Sequence, residues 1–114
     1  MTVRVRRIYD AVEDTDGKRV LVDRLWPRGV SKQHAQLDEW CKEVAPSNEL
    51  REWYGHDPAR YDEFARRYRE ELQQPERAEA LARLKKLTNG TLTLLTATKQ
   101  AGISQAAVLA EVLE

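Results

Sequence analysis

The chain has 114 residues, of which 33% are charged, and its 19 basic and 19 acidic residues give a formal net charge of zero. This length fits one domain around one hydrophobic core, and the balanced charge argues against a dedicated nucleic-acid-binding protein. A single cysteine, Cys41, excludes an internal disulfide and a cysteine metal cluster. Because no apolar run could span a bilayer and no signal-peptide pattern follows Met1, we expect a cytoplasmic single-domain protein, residues 1–114, that makes no membrane contact.

The first strand is predicted at the start of the chain, where Val3 and Val5 alternate with Arg4 and Arg6. Such alternation is typical of a strand with one solvated face, near the edge of a sheet. The following link contains turn residues at Asp14–Gly17 and is short for a parallel crossover. Two orientations therefore stay open: the first two strands are antiparallel, or a compact turn of helix joins them in parallel.

The most informative segment is the unbroken apolar run Val20–Val22. Because no polar residue alternates with the apolar ones, both faces of this strand should be covered, as in a central strand flanked by helices. Ligands of such sheets bind beyond the carboxyl ends of the strands. Asp23, Arg24 and Arg28 follow the run directly, so the sequence predicts a site at this edge.

Four helices are predicted between this strand and a third strand at Thr91–Ala97. In the first of them, apolar residues recur at the i, i+3, i+4 and i+7 spacing of an amphipathic helix. These residues are Leu37, Trp40, Cys41 and Val44. Capping residues or proline mark the predicted helix starts: Ser31, Ser47, Asp57, Pro75 and, after the third strand, Ser104.

Together these elements predict an α/β fold, a small three-layer domain with a short, mostly parallel sheet of about three strands flanked by helices. The second and third strands should be adjacent and parallel, because a long helical crossover joins them. Their carboxyl ends would then bring Asp23, Arg24 and Arg28 towards Thr96 and Lys99.

An anion site is the ligand-binding hypothesis for this edge of the sheet. Arg24, Arg28 and Lys99, near backbone amides at the helix start of Ser31, would bind an oxyanion. Gly29 would let the backbone approach that anion closely. The competing interpretation is that the Asp23 carboxylate pairs with one of these arginines and stabilises the turn, without any ligand.

Candidates for acid–base chemistry are weak. Asp23 either serves as a base or forms that structural pair, and His56 is either a general acid–base or fixes its own turn through one ring nitrogen. Trp26 would line a pocket and stack on a planar ligand. Cys41 is interpreted as a buried hydrophobic residue and not a nucleophile. Because His34 and His56 lie far apart and no nucleotide-binding or catalytic motif is present, we expect no metal and no cofactor.

The run Val20–Gly29, with the sequence VLVDRLWPRG, resembles the signature of the YeaO-like branch of the domain-of-unknown-function 488 family. The resemblance continues over nearly the whole chain, through Leu37–Trp40, Val44–Leu50, Trp53–Pro58, Phe64–Tyr68, Leu92–Leu95 and Val108–Leu113. It implies a small α/β fold and supplies no reaction.

This chain departs from that family after its third strand. Relatives tend to have a tyrosine or a cysteine where this chain has Thr96, and acidic residues and a histidine within the segment matching Gln100–Ser104. Lys99 is kept. If those residues carry an activity in the relatives, this chain has lost or changed it.

Two functions follow from these observations. The first is binding of a small anionic or phosphorylated ligand at the carboxyl ends of the central strands, with or without enzymatic turnover. The alternative is a non-enzymatic regulatory module that binds nucleic acid or a protein. Nucleic acid is not favoured, because no basic recognition helix follows the helix break at Pro46. The reaction, the substrate and the oligomeric state stay open.

Overall fold

The computed structural model describes residues 1–114 and contains a four-stranded sheet in the order β1-β4-β2-β3. The strands are Thr2–Arg7 (β1), Lys18–Leu21 (β2), Glu39–Trp40 (β3) and Thr91–Thr96 (β4). All three neighbouring pairs are parallel. The predicted α/β fold is confirmed, as is the adjacent, parallel arrangement of β2 and β4.

The orientation of β1, which the sequence left open, is parallel to β4. A 3-10 turn at Asp14–Asp16 makes the short crossover to β2. Asp16 holds this crossover in place, because its buried carboxylate accepts hydrogen bonds at 2.5 Å from Arg19 and at 3.0 Å from Arg6. The predicted solvated face of β1 is therefore only partly solvated, since Arg4 and Arg6 both pair with Asp16.

Five α-helices accompany the sheet: Lys32–Ala35 (α1), Asn48–Tyr54 (α2), Tyr61–Glu71 (α3), Pro75–Lys86 (α4) and Gln105–Leu113 (α5). All three predicted serine caps are confirmed, because each hydroxyl oxygen accepts a backbone N–H of its first turn. The caps are Ser31 for α1, Ser47 for α2 and Ser104 for α5. α3 is preceded by a 3-10 turn at Pro58–Arg60.

The predicted helix through Leu37 and Val44 is wrong. α1 ends at Ala35, and its C-cap, Gln36, has a φ of 47° in the left-handed region. The chain then extends along β2, where the Asp38 backbone N–H donates to the Arg19 carbonyl oxygen at 2.8 Å and forms the start of β3. The carboxylate of Asp38 also accepts the Arg19 backbone N–H at 2.8 Å. The open edge of β2 thus pairs with this segment and overrides its helical periodicity, which adds a fourth strand to the predicted three.

The sheet separates two hydrophobic clusters. Val20 and Val22 pack in the larger one, a cluster of 17 buried residues to which α2, α3, α4 and α5 contribute. Leu21 packs on the opposite face with Leu95, in a smaller cluster of four buried residues. The prediction that both faces of the Val20–Val22 run are covered is therefore confirmed. None of the helices has the length and apolar character needed to cross a membrane.

Candidate functional site

A cavity of about 410 Å³ lies at the carboxyl ends of β2 and β4. We call it the strand-end cavity. Its wall comes from the segment after β2, residues 23–28, from the end of β4, residues 96–98, and from α2 and the start of α5. It occupies the position that the sequence predicts for a site, because parallel strands end at the same edge of a sheet.

Asp23 lines this cavity, and its carboxylate is bound by three donors of the protein. Thr96 Oγ1 donates to Oδ1 at 2.7 Å, Gln105 Nε2 donates to the same oxygen at 2.6 Å, and the Ala97 backbone N–H donates to Oδ2 at 2.8 Å. The interpretation that Asp23 pairs with Arg24 or Arg28 is wrong, since neither guanidinium contacts it.

The pKa of Asp23 is raised above its ordinary value of 3.8. Burial is the largest cause, because it penalises the charged carboxylate. The three hydrogen bonds, together with the positive charge of Arg51, lower the pKa without reversing the effect of burial. Asp23 is therefore a carboxylate held in place by donors but more easily protonated than one in water.

Arg24 and Arg28, both predicted as ligand-binding residues, line the cavity and are exposed. A third arginine, Arg51 of α2, lines it as well. None of the three guanidinium groups forms an ion pair or a hydrogen bond within the protein. Because Asp23 is the only acidic residue in the wall, this cavity carries a local excess of positive charge.

Aromatic rings form much of the remaining wall. Trp26, a predicted site residue, is half-buried there, and its Nε1–H donates to the Val30 carbonyl oxygen at 2.7 Å. Tyr54 and Phe64 also line the cavity and stack with ring centroids 4.3 Å apart. The Tyr54 hydroxyl donates to the Ile103 carbonyl oxygen at 2.6 Å.

His56 lines the cavity and is exposed, with a φ of 57° in the left-handed region. Its imidazole makes no hydrogen bond with the protein, so the alternative in which a ring nitrogen fixes the turn does not occur. The ring centroid lies 6.1 Å from that of Tyr54. The suggested role of His56 as an acid or base stays a prediction.

Two other predicted ligand-binding residues do not reach the strand-end cavity. Gly29 lines a separate cavity, together with His34. Lys99 is exposed and lines neither cavity. The helix that begins at Ser31 has only four residues, so it does not supply the row of amides that the sequence suggests.

Sequence reasoning missed Arg51, Tyr54 and Gln105 as residues of this wall. Arg51 and Tyr54 lie on α2, and Gln105 begins α5. Their place depends on how these helices pack against the ends of β2 and β4, for which a single sequence has no local signal. The only available signal is the cap pattern around Ser104, which locates the start of α5 near the end of β4.

Cys41 lies outside the cavity and is fully buried. Burial, reinforced by the negative charge of Glu39, raises the pKa of its thiol to about 12. Arg83 contacts the sulfur at 3.5 Å and opposes this shift. The geometry agrees with the interpretation of Cys41 as a structural residue.

Comparison with known proteins identifies a matching family and several relatives of this chain. The family described as the inactive DUF488-N3 subclade matches residues 2–114 of the chain. Uncharacterised proteins from Mycobacterium tuberculosis and Mycobacterium bovis are each 54% identical to it over 112 residues, which cover 97% of this chain and 92% of the relative. The uncharacterised protein YeaO of Escherichia coli is 43% identical over 112 residues, covering 97% of this chain and 96% of YeaO. No solved structure matches the chain.

Proposed function

We propose, from the premise that the chain belongs to the inactive DUF488-N3 subclade, that it binds a small phosphate-bearing anion in the strand-end cavity and does not convert it. The resemblance to the YeaO-like branch of the domain-of-unknown-function 488 family is confirmed by these matches. Neither the family description nor the relatives' names state a ligand, so the ligand is inferred from the cavity.

One observation carries the proposal: the arginines without an internal partner all lie in one place. Arg7 and Arg77 donate to the backbone carbonyl oxygens of Thr98 and Ala45. Eight others form ion pairs with acidic side chains: Arg4, Arg6, Arg19, Arg60, Arg66, Arg67, Arg69 and Arg83. The remaining three are Arg24, Arg28 and Arg51, and all of them line the strand-end cavity.

Three unpaired guanidinium groups around one cavity favour an anion as the missing partner. Like charges repel one another, and that repulsion is relieved when an anion binds between them. Arginine also presents a planar set of donors that matches phosphate oxygens in a bidentate manner. Phosphate is therefore the best-suited functional group for this part of the wall.

Binding without turnover is supported by the chemistry around the same cavity. At the end of β4, the chain has Thr96 where relatives tend to have a tyrosine or a cysteine, and the Thr96 hydroxyl is engaged by Asp23. Asp23 in turn accepts three hydrogen bonds from the protein, so its carboxylate is held in place by donors of the wall. The departure of the sequence from its relatives and the description of the subclade as inactive both support binding without turnover.

Thermal unfolding with increasing phosphate tests the proposal. A ligand that binds only the native state raises the melting temperature, and the rise grows with the ratio of ligand concentration to dissociation constant. We expect phosphate to protect the wild type and to protect Arg28→Gln and Arg51→Gln much less. Lys99→Gln is the matched control, because it removes a cation from the same edge of the sheet without touching the cavity. Equal protection of all four proteins would contradict an anion site in this cavity.

A nucleic-acid-binding module is the second candidate, favoured by the local excess of positive charge around Arg24, Arg28 and Arg51. Binding to a nucleic acid falls steeply as salt concentration rises, because counterions are released from its backbone. Titration of a short oligonucleotide at low and high salt separates the two functions. A steep salt dependence with no response to free phosphate would favour the nucleic acid.

A further inference from the structure

We infer that the ligand of the strand-end cavity is an organic phosphate with a hydroxyl group and a planar ring, of which nucleoside monophosphates are the simplest class. In this assignment Asp23 accepts the ligand's hydroxyl and an aromatic and apolar wall contacts its ring. The inference rests on the proposed function, since the arginines bind the phosphate. It adds two further contacts to the anion site.

The first contact follows from the hydrogen-bond capacity of Asp23. An ionised carboxylate has about four acceptor positions, two on each oxygen. Oδ1 accepts from Thr96 and Gln105, whereas Oδ2 accepts only from the Ala97 backbone N–H. One position on Oδ2 is therefore free in a side chain that lines the cavity.

A free acceptor beside three arginines selects a particular kind of ligand. A phosphate oxygen would be repelled by the Asp23 carboxylate, so the phosphate itself belongs with Arg24, Arg28 and Arg51. The position near Asp23 suits a hydrogen-bond donor without charge, such as a sugar hydroxyl. Inorganic phosphate offers this acceptor only its own P–OH groups, which sit on a charged ion, whereas a sugar hydroxyl donates without bringing a charge near Asp23.

The second contact follows from the rings of the wall, whose polar atoms are already engaged. The Trp26 N–H donates to the Val30 carbonyl oxygen, and the Tyr54 hydroxyl donates to the Ile103 carbonyl oxygen. Trp26 is half-buried and therefore offers the cavity apolar ring surface, whereas Tyr54 is only 4% exposed and stacks on Phe64. Aromatic surface of this kind stabilises planar ligands by stacking.

The rim of the cavity adds exposed apolar surface. Leu25 is 65% exposed and Tyr9 is 48% exposed, and both line this cavity. The cavity volume of about 410 Å³ also lies within the range of about 300–1,000 Å³ that is usual for small-molecule sites. A bound ring would remove the Leu25 side chain from water, which a bare phosphate cannot do.

Calorimetric titration of the full chain with matched ligands tests this inference. The ligands are inorganic phosphate, adenosine and uridine 5′-monophosphates, and the 2′,3′-dideoxy forms of both nucleotides. We expect at least one nucleotide to bind about 10-fold or more tightly than phosphate. Its dideoxy form should lose about 10-fold or more, the usual size of a hydrogen bond to a charged group.

Two variants locate the contacts. Asp23→Asn should remove most of the difference between each nucleotide and its dideoxy form. Because that variant also alters a structural hydrogen-bond cluster, Leu25→Ala provides a second test at a side chain that the fold leaves exposed. It should weaken nucleotide binding several-fold and leave phosphate binding unchanged. The matched control is Val12→Ala, an exposed apolar residue outside this cavity.

The outcomes separate this inference from the proposed function. If phosphate and both nucleotides bind with the same affinity, or if loss of the hydroxyls has no effect, the inference is wrong while the anion site stands. If none of the ligands binds, both fail. Tighter nucleotide binding that depends on the hydroxyls and on Leu25 supports both the inference and the proposed function.

Discussion

The side-chain amide of Gln105 donates a 2.6 Å hydrogen bond to Oδ1 of Asp23, although 82 positions of the sequence separate the two residues. This bond joins the end of β2 to the first turn of α5. Together with the donors Thr96 and Ala97 on β4 and its loop, it links three elements through one carboxylate. Asp23 therefore has a structural role in the wall of the strand-end cavity, and its partners are not arginines.

Asp23→Asn should destabilise the fold by about 1–3 kcal/mol at neutral pH. Asparagine has only one side-chain oxygen, so its NH₂ group must face at least one of the donors that the carboxylate accepts. Urea unfolding followed by circular dichroism measures this loss. Arg24→Gln serves as a control at the next position, because its side chain is exposed and has no internal partner. A variant as stable as the wild type would show that the three hydrogen bonds contribute nothing to stability.

The stability difference between the wild type and Asp23→Asn should depend on pH. Because burial raises the folded-state pKa of Asp23 above 3.8, the folded protein binds this proton more tightly than the unfolded chain does. The resulting stabilisation is fully present below the unfolded-state pKa and is lost as pH rises through the folded-state pKa. The wild type should therefore exceed the variant in free energy of unfolding by more at about pH 4 than at about pH 7. A difference that grows as pH rises would mean that the pKa is lowered.

Native Cys41 should react very slowly with a thiol reagent at neutral pH. Only the thiolate is nucleophilic, and a pKa of about 12 together with full burial leaves almost none of it accessible. Absorbance measurements with a chromogenic disulfide check this rate, and the urea-unfolded chain is the positive control. Rapid labelling of the folded protein would contradict the burial of this thiol.

Gly17→Ala should be far more damaging than Gly29→Ala, although both glycines have a positive φ. A Cβ at position 17 would lie 2.1 Å from the Thr91 carbonyl oxygen, at the start of the central strand β4. A Cβ at position 29 would meet nothing within 4 Å, so only the strained backbone would cost about 1 kcal/mol. Chemical denaturation of the two variants measures how much stability each one loses. The difference between the two losses separates the steric clash at position 17 from the backbone strain that both substitutions cause. Equal losses would indicate that the backbone at Thr91 moves aside.

The central part of the sheet was predictable because its signals are local. Val20–Val22 has no polar alternation, and the structure buries Leu21 on one face of the sheet and Val20 and Val22 on the other. The serine caps were equally predictable, since each depends on residues within one helical turn. These features specify which strands are central and where several helices begin.

β3 was not predictable from the same kind of signal. Leu37, Trp40, Cys41 and Val44 have the spacing of a helix, but the edge of β2 offers unpaired backbone groups that Asp38 and the following residues satisfy. A sequence pattern does not record that competition between local periodicity and strand pairing.

The composition of the candidate site was predictable only in part. The segment after β2 supplies Asp23, Arg24, Trp26 and Arg28 to the cavity, as their position after a central strand suggests. Arg51 and Gln105 lie on helices whose packing is set by long-range contacts, and Gly29, although next to Arg28, lines a separate cavity.

The strand order also has a consequence for how the chain is made. β4 lies between β1 and β2, yet it is the last of the four strands to be synthesised. At about 5–20 residues per second, β1 emerges on the order of 10 s before the only strand it pairs with. During that interval β2 and β3 are the only neighbouring pair available to each other. The nascent chain therefore completes its sheet in one late step, and a chain terminated before Thr91 would expose β1 to aggregation or proteolysis.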